Sequence, residues 1–157
     1  AYFAEEEALQ EKIKAFGAEL VAQKPTATTL PSGLQYIILK EGNGPKPSIG
    51  QSVSTEKSPW LENGTPIDTS VDSIAKAAGR YDELLALHRG DFRPLTITLS
   101  PDMPMFAGFK EAMLEMKAGD KWRIFIPPHL GYGSQGSGPI PPNSNLVFDL
   151  EMLPPSE

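Results

Sequence analysis

The stretch over residues 127–142 is too rich in proline and glycine to form a long helix or a continuous paired strand. Pro127-Pro128 and Pro141-Pro142 bracket Gly131, Gly133, Gly136 and Gly138. The runs on either side, residues 122–126 (WRIFI) and 146–152 (LVFDLEM), are apolar and β-branched or aromatic, so the stretch joins two strands. In the second run Leu146, Phe148, Leu150 and Met152 share one face. Glycine admits close approach of backbone or ligand, and the prolines limit the loop's freedom. Tyr132, between Gly131 and Gly133, is therefore held on a preset loop near apolar Ile140 and Phe148. Such a loop suits a ligand rim; the plain alternative is a long hairpin connection.

The rest of the chain supplies a sheet and few helices. Residues 3–23 read as a helix, since Leu9, Ile13, Phe16 and Leu20 recur at steps of four, three and four. Glu5, Glu6 and Glu7 suit the positive end of its dipole, and Lys24-Pro25 stops it. Its apolar stripe either packs on its own domain or pairs with a partner or second copy. Residues 35–39 (QYIIL) form a strand between Gly33 and the turn at 42–45. A poorer strand is expected near Val53, interrupted by Glu56, Lys57, Ser58 and Pro59, with Pro59 indicating an edge, bulge or strand end. Asn63-Gly64 then reverses the chain.

Val71, Ile74, Ala78, Tyr81, Leu85 and His88 recur at helical steps, with Gly79 weakening the run. Leu95, Ile97 and Leu99 alternate with Thr96 and Thr98 as a half-buried strand. Residues 109–116 form a short helix with Phe109, Ala112, Met113 and Met116 on one face, ended by Ala118-Gly119-Asp120. Strands dominate and no βα alternation exists. The expected class is α+β: a twisted antiparallel sheet of about five strands wrapped around one short central helix, plus an N-terminal helix and a helical insertion.

Composition narrows the chemistry. Across 157 residues there is no cysteine, which removes disulfides and thiol nucleophiles, and only His88 and His129 represent histidine. A metal site would rest almost wholly on carboxylates, so neither metal nor cofactor is expected. The net charge is −6 and no strip of Lys and Arg tracks phosphates, so nucleic acid is not an expected partner. No apolar run approaches the roughly 18–20 residues that span a bilayer. No phosphate-binding glycine loop or nucleophile elbow is found, and carboxylates such as Asp68 and Asp149 are scattered. Hydrolase and transferase chemistry are unsupported.

IPPHLGYG followed by GPIPPNSNLVFDLEM resembles the closing segment of FKBP-type peptidyl-prolyl isomerases. GFKEAMLEMKAGDKWRIFIPP resembles that family's central helix and following strand. SGLQYIILKEGNGPKPSIGQ resembles the opening of the subgroup containing the macrophage infectivity potentiator, whose helical N-terminal extension makes dimers. The resemblance covers residues 31–157 apart from an insertion at about 71–93, leaving 1–30 as helix and linker.

The resemblance implies a catalytic set of Tyr132, Asp68, Phe109 and Phe148. Phe109 would floor the pocket where the family usually has tryptophan, Phe148 would form a wall, and Tyr132 would offer its hydroxyl to a ligand carbonyl. It implies peptide contacts at Ile67, Leu95, Met105, Phe106 and Ile140, with Ile67 and Leu95 standing in place of aromatics. Met105 or Phe106 would present a backbone N–H. Asp68, in IDTS, matches the pocket aspartate. TEKSPWL stands where the family reads VHYTGWL, so Lys57 replaces a pocket tyrosine and Pro59 a glycine. A buried lysine needs a partner, for which Asp68 is the natural choice; a surface lysine would simply leave the pocket open.

Rotation about an X–Pro bond breaks no bond and requires neither nucleophile nor metal, only a pocket that prefers the twisted amide. The function this implies is an isomerase or folding helper that binds proline-containing peptides or clients, with activity reduced by the substitutions. The alternative is a non-catalytic assembly subunit of a larger complex, membrane-associated or not. Its partner or second copy would be held by the N-terminal stripe (Leu9, Ile13, Phe16, Leu20) or by the insertion (Ile74, Tyr81, Leu85). The subgroup is commonly exported, so periplasm, cell surface or an organelle lumen such as the thylakoid is favoured over cytosol. A start at Ala1 without methionine fits a removed targeting peptide or a shortened chain.

Overall fold

A computed structural model describes residues 2–67, 94–137 and 140–153. The first helix, α1, covers Tyr2–Gln23 and passes into a 3-10 turn at Lys24–Thr26, where Pro25 cannot extend the helical hydrogen bonding. The strands are β1 (Thr28–Thr29), β2 (Gln35–Lys40), β3 (Ser52–Leu61), β4 (Leu95–Thr98), β5 (Lys121–Ile126) and β6 (Leu146–Met152). The second helix, α2, covers Ala107–Glu115 and lies between β4 and β5 in the chain. All strand pairs are antiparallel, in the order β1-β2-β5-β6-β3-β4. The sheet thus has six strands rather than about five, because the two-residue β1 is too short to leave a periodic signal. Among the described residues no helix is long and apolar enough to cross a membrane.

Alternation along the strands builds the core against α2. Leu146, Phe148, Leu150 and Met152 of β6 join Trp122, Ile124 and Ile126 of β5 on the inner face. Register places Ile124 opposite Phe148 and Trp122 opposite Leu150. Onto them α2 and its C-cap bring Phe109, Ala112, Met113 and Met116, all fully buried. Each such large apolar side chain contributes about 1.5–3 kcal/mol by leaving water.

Strand β3 departs from the sequence expectation. Glu56, Lys57, Ser58 and Pro59 lie inside a continuous strand of ten residues. Its even-numbered residues face outward, where Trp60 meets Phe16, and its odd-numbered ones face inward, where Thr55 meets Met113. Pairing with β6 runs from Thr55 to Leu61, but β4 covers only Ser52 to Thr55. Pro59 therefore lies in the half with one strand neighbour. Its carbonyl accepts from the Ile67 N–H at 2.9 Å. A strand residue points its N and O to the same side, so the missing N–H removes no bond to β6.

Helix α1 lies on the outer face of the same sheet. Leu20, 1% exposed, packs with Phe125 and Val147, and Phe16 sits edge-on to Trp60 at 5.0 Å. Beneath them Arg123 donates twice to Asp149, at 2.8 and 2.9 Å, and once to the Gln23 side-chain oxygen at 2.8 Å. Leu9 and Ile13 are half-buried. Gly17 and Gly64 let the helix rest directly on the turn after β3. A methyl on Gly17 would overlap the Asn63 carbonyl, and one on Gly64 would overlap that of Ile13. The expected helix at residues 72–88, with Ile74, Tyr81 and Leu85, lies outside the described residues, as does Asp68.

Candidate functional site

Phe106 immediately precedes α2, in extended backbone conformation at its N-cap. Its ring centroid is 5.2 Å from Tyr132, 5.2 Å from Phe148 and 6.0 Å from Phe109, each pair inclined by 50° or more. These tilted and edge-to-face contacts are the favourable aromatic geometries. Phe109 is fully buried, Phe148 is 4% exposed, Phe106 is half-buried and Tyr132 is 36% exposed. Four aromatic rings therefore run from a dry floor to a wet rim. Ile140 is buried in the main hydrophobic core that also holds Phe109 and Phe148, and Ile67, Leu95 and Met105 pack against that core.

Each ring is placed by an element whose local sequence explains it. Phe148 follows from β6 alternation, and Phe109 from the buried face of α2. Gly108 brings the start of α2 close to the Ile126 side chain and the Leu130 carbonyl. The proline-glycine stretch carries Tyr132 on a closely bonded loop. Pro128–Leu130 forms a 3-10 turn, and the Pro128 carbonyl accepts from both Gly131 and Gly133. The Asn143 N–H donates to Gly133, that of Gly136 to Tyr132, and Ser137 and Ile140 exchange two backbone hydrogen bonds. Gly133 and Gly136 have φ of 63° and 70°, left-handed conformations that favour glycine. His129 Nε2 lies 3.0 Å from the Ser32 carbonyl and ties the start of the loop to the entry of β2.

Burial pushes the Tyr132 phenol above its ordinary pKa, so it is a neutral hydrogen-bond donor throughout the physiological range. The Met105 N–H is already donated to the Met103 carbonyl at 2.8 Å. The Phe106 N–H makes no hydrogen bond among the described residues. Lys57 lies half-buried on the inward side of β3, opposite Leu150 and two residues from the Pro59–Phe148 pair. Leu95 pairs with Thr55 at the end of β4 and borders the same core.

The structure thus brings together Tyr132, Phe109, Phe148 and Phe106; Ile140 is buried in the core that holds Phe109 and Phe148, Met105, Ile67 and Leu95 pack against that core, and Lys57 lies on the inward side of β3. Sequence reasoning put Phe106 beside the pocket and missed its central place. The available signal was the spacing of Phe106 and Phe109, three apart at a helix start and so on one side of it. A separate groove of about 590 Å³ is lined by Pro45, Pro47, Val53, Pro94, Thr96 and Leu153, among others. It shares no residue with the aromatic cluster and has no aromatic wall. The cluster is therefore the stronger candidate for gripping an apolar ring.

Residues 44–153 match the family described as FKBP-type peptidyl-prolyl cis-trans isomerase. Among curated relatives, the outer membrane protein MIP of Legionella longbeachae is 35% identical over 131 residues, 83% of this chain and 47% of the relative. FK506-binding protein 1 of Gibberella zeae is 34% identical over 121 residues, 76% of this chain and 96% of the relative. The chain spans about half the length of its MIP relatives, 47% in Legionella longbeachae and 48% in Coxiella burnetii. Among solved structures, AtFKBP13 aligns with a TM-score of 0.66 at 29% identity, covering 83% of this chain and 98% of that one. FkpA from Escherichia coli aligns with a TM-score of 0.63 at 26% identity, covering 95% and 63%.

Proposed function

The chain belongs to the FKBP-type peptidyl-prolyl cis-trans isomerase family, and we propose that it binds proline-containing peptide segments at the aromatic cluster around Phe106 and accelerates X–Pro rotation there at a reduced rate. The observation that carries this reading is the gradation of the cluster from the dry ring of Phe109 to the exposed phenol of Tyr132.

The uncatalysed rotation faces a barrier of about 18–20 kcal/mol. A planar amide is more charge-separated than the twisted one, so moving it from water into an apolar pocket favours the twist. The rings supply that environment and a surface for the proline. The Tyr132 hydroxyl and the Phe106 N–H hold flanking carbonyls without requiring the amide to stay planar. The gain is binding that is stronger in the transition state than in the ground state.

Phe109, Ile67 and Leu95 are each smaller than the aromatic residue the family usually places there. Losses of this kind are worth on the order of 1–3 kcal/mol each, and about 1.4 kcal/mol in a barrier is tenfold in rate. In a protease-coupled assay on a Leu-Pro peptide, we expect acceleration above the spontaneous rate with kcat/KM below about 10⁶ M⁻¹ s⁻¹. No acceleration at any enzyme concentration contradicts catalysis, and a rate near the diffusional ceiling contradicts the reduced site. A relative named as an outer membrane protein supports export; fractionation of cells making the protein tests it.

A further inference from the structure

The rings of the site come from separate pieces of chain. Phe106 and Phe109 belong to the start of α2, Tyr132 to the proline-glycine loop and Phe148 to β6. The relation between α2 and the loop sets how far Tyr132 stands from Phe106, whose ring centroids are 5.2 Å apart. The tip of the β1–β2 hairpin, Pro31-Ser32-Gly33, touches both pieces. Its turn is closed from the Leu30 N–H to the Leu34 carbonyl at 2.8 Å and from the Gly33 N–H to the Leu30 carbonyl at 2.9 Å. Gly33 has a φ of 101°, the left-handed residue that ends a three-residue hairpin loop. Leu34, fully buried, anchors the tip in the core.

Ser32 makes three hydrogen bonds at that tip. Its hydroxyl donates to Glu111 of α2 at 2.5 Å and accepts from the Leu34 N–H at 3.2 Å. Its carbonyl lies 3.0 Å from His129 Nε2. A carbonyl only accepts, so Nε2 carries the proton in that bond. The His129 ring also lies against the turn, since a methyl on Gly33 would stand 3.5 Å from its Cε1. Glu111 is two residues beyond Phe109, and His129 is three residues before Tyr132. One serine therefore joins the helix that carries two rings to the loop that carries a third. A hydroxyl on a carboxylate is among the stronger hydrogen bonds, so the joint on the helix side is firm.

We propose that Ser32, through Glu111 and His129, is a positioning residue that holds the Tyr132 loop at the distance from Phe106 where phenol and rings grip the twisted amide together. The inference rests on the proline-binding reading of the cluster and gives a role to three polar residues outside it. A misplacement of about 1 Å costs up to roughly a hundredfold in rate. A loss felt only in the transition state lowers kcat and leaves KM unchanged.

The test measures kcat and KM on the peptide Ala-Leu-Pro-Phe by NMR exchange spectroscopy, with the whole chain. Ser32→Ala, Glu111→Ala and His129→Ala should each lower kcat about three- to tenfold, with KM within about twofold. In the same variants, cross-relaxation between the ring protons of Phe106 and Tyr132 should weaken in the free protein. Ser32→Thr and His129→Gln, which keep the hydroxyl and the N–H donor, should restore most of both signals. Ser32→Ala combined with Glu111→Ala should lose no more than either alone, because both cut the same bond. Unfolding curves verify that each variant is folded at the assay temperature. If the native protein turns the peptide over and the folded variants keep its kcat, the positioning role is overturned while the site reading stands. A fall in kcat with the ring contact unchanged, or one that only follows the fraction of folded protein, overturns it as well. If the native protein neither binds nor turns over the peptide, the site reading fails and the inference falls with it. Binding without turnover removes the catalytic half of that reading and this role together.

Discussion

At the residue scale, Phe106 organises the candidate site, since among the described residues its ring meets those of Phe109, Tyr132 and Phe148. Aromatic pairs of this kind contribute about 0.5–1.5 kcal/mol each beyond buried area. Phe106→Ala should therefore cost about 2–4 kcal/mol of stability and weaken proline-peptide binding at least about tenfold; thermal unfolding and titration calorimetry check the two separately. Tyr132 makes a different prediction. Burial raises its pKa above the ordinary value of about 10, so its donor proton is present through the neutral range. Peptide affinity should be flat between about pH 6 and 9 and fall only above about pH 10, and Tyr132→Phe should remove that alkaline fall. The sign for stability is the same: the unfolded phenol releases its proton first, so the contribution is whole below about pH 10 and is lost as pH climbs through the folded value.

At the element scale, the strands with clean alternation were legible and β3 was not. Leu95 and Ile97 are more buried than Thr96 and Thr98, as alternation requires, and Leu146, Phe148, Leu150 and Met152 of β6 all join the main core. In β3 the polar run through Ser58 and Pro59 hides a strand, because its outer side is covered by α1 and its inner side by α2. Neither covering is encoded next to it in sequence. The destination of α1 was equally hidden: the Leu9–Leu20 stripe states that a face is buried, not where. Gly17 held the clue, since a helix gains nothing from glycine there unless a backbone must approach. Alanine usually improves a helix by about 0.5–1 kcal/mol over glycine. Here the methyl overlaps the Asn63 carbonyl, so Gly17→Ala should destabilise by about 1–3 kcal/mol, with more exposed Trp60 fluorescence. A stabilising Gly17→Ala would show that α1 does not rest on this turn. The pair under the helix is a second test. Asp149→Ala leaves Arg123 buried without its carboxylate and should cost about 3–5 kcal/mol by urea denaturation.

At the scale of the whole molecule, the α+β class and the placement of one helix on an antiparallel sheet followed from period and turn chemistry. The loop carrying Tyr132 and Ile140 followed from the proline-glycine stretch, whose glycines the fold uses for close approach and left-handed turns. The facing wall was less legible, because Phe106 and Phe148 become neighbours only when the start of α2 crosses the inner side of β6. That crossing is a tertiary event without a local signature. It also separates two possible places for a peptide, the aromatic cluster and the groove between Pro45 and Pro94, which share no residue.

The measurement that tests the central claim most directly is an NMR titration of the isotope-labelled chain with a Leu-Pro peptide, combined with exchange spectroscopy on the peptide. The account predicts concentrated shift changes at Phe106, Tyr132, Ile140 and Phe148, together with cis–trans exchange of the bound peptide far faster than the tens of seconds or more of the free one. Shifts confined to Pro45, Val53, Thr96 and their neighbours, or peptide exchange unaltered at saturation, would contradict it.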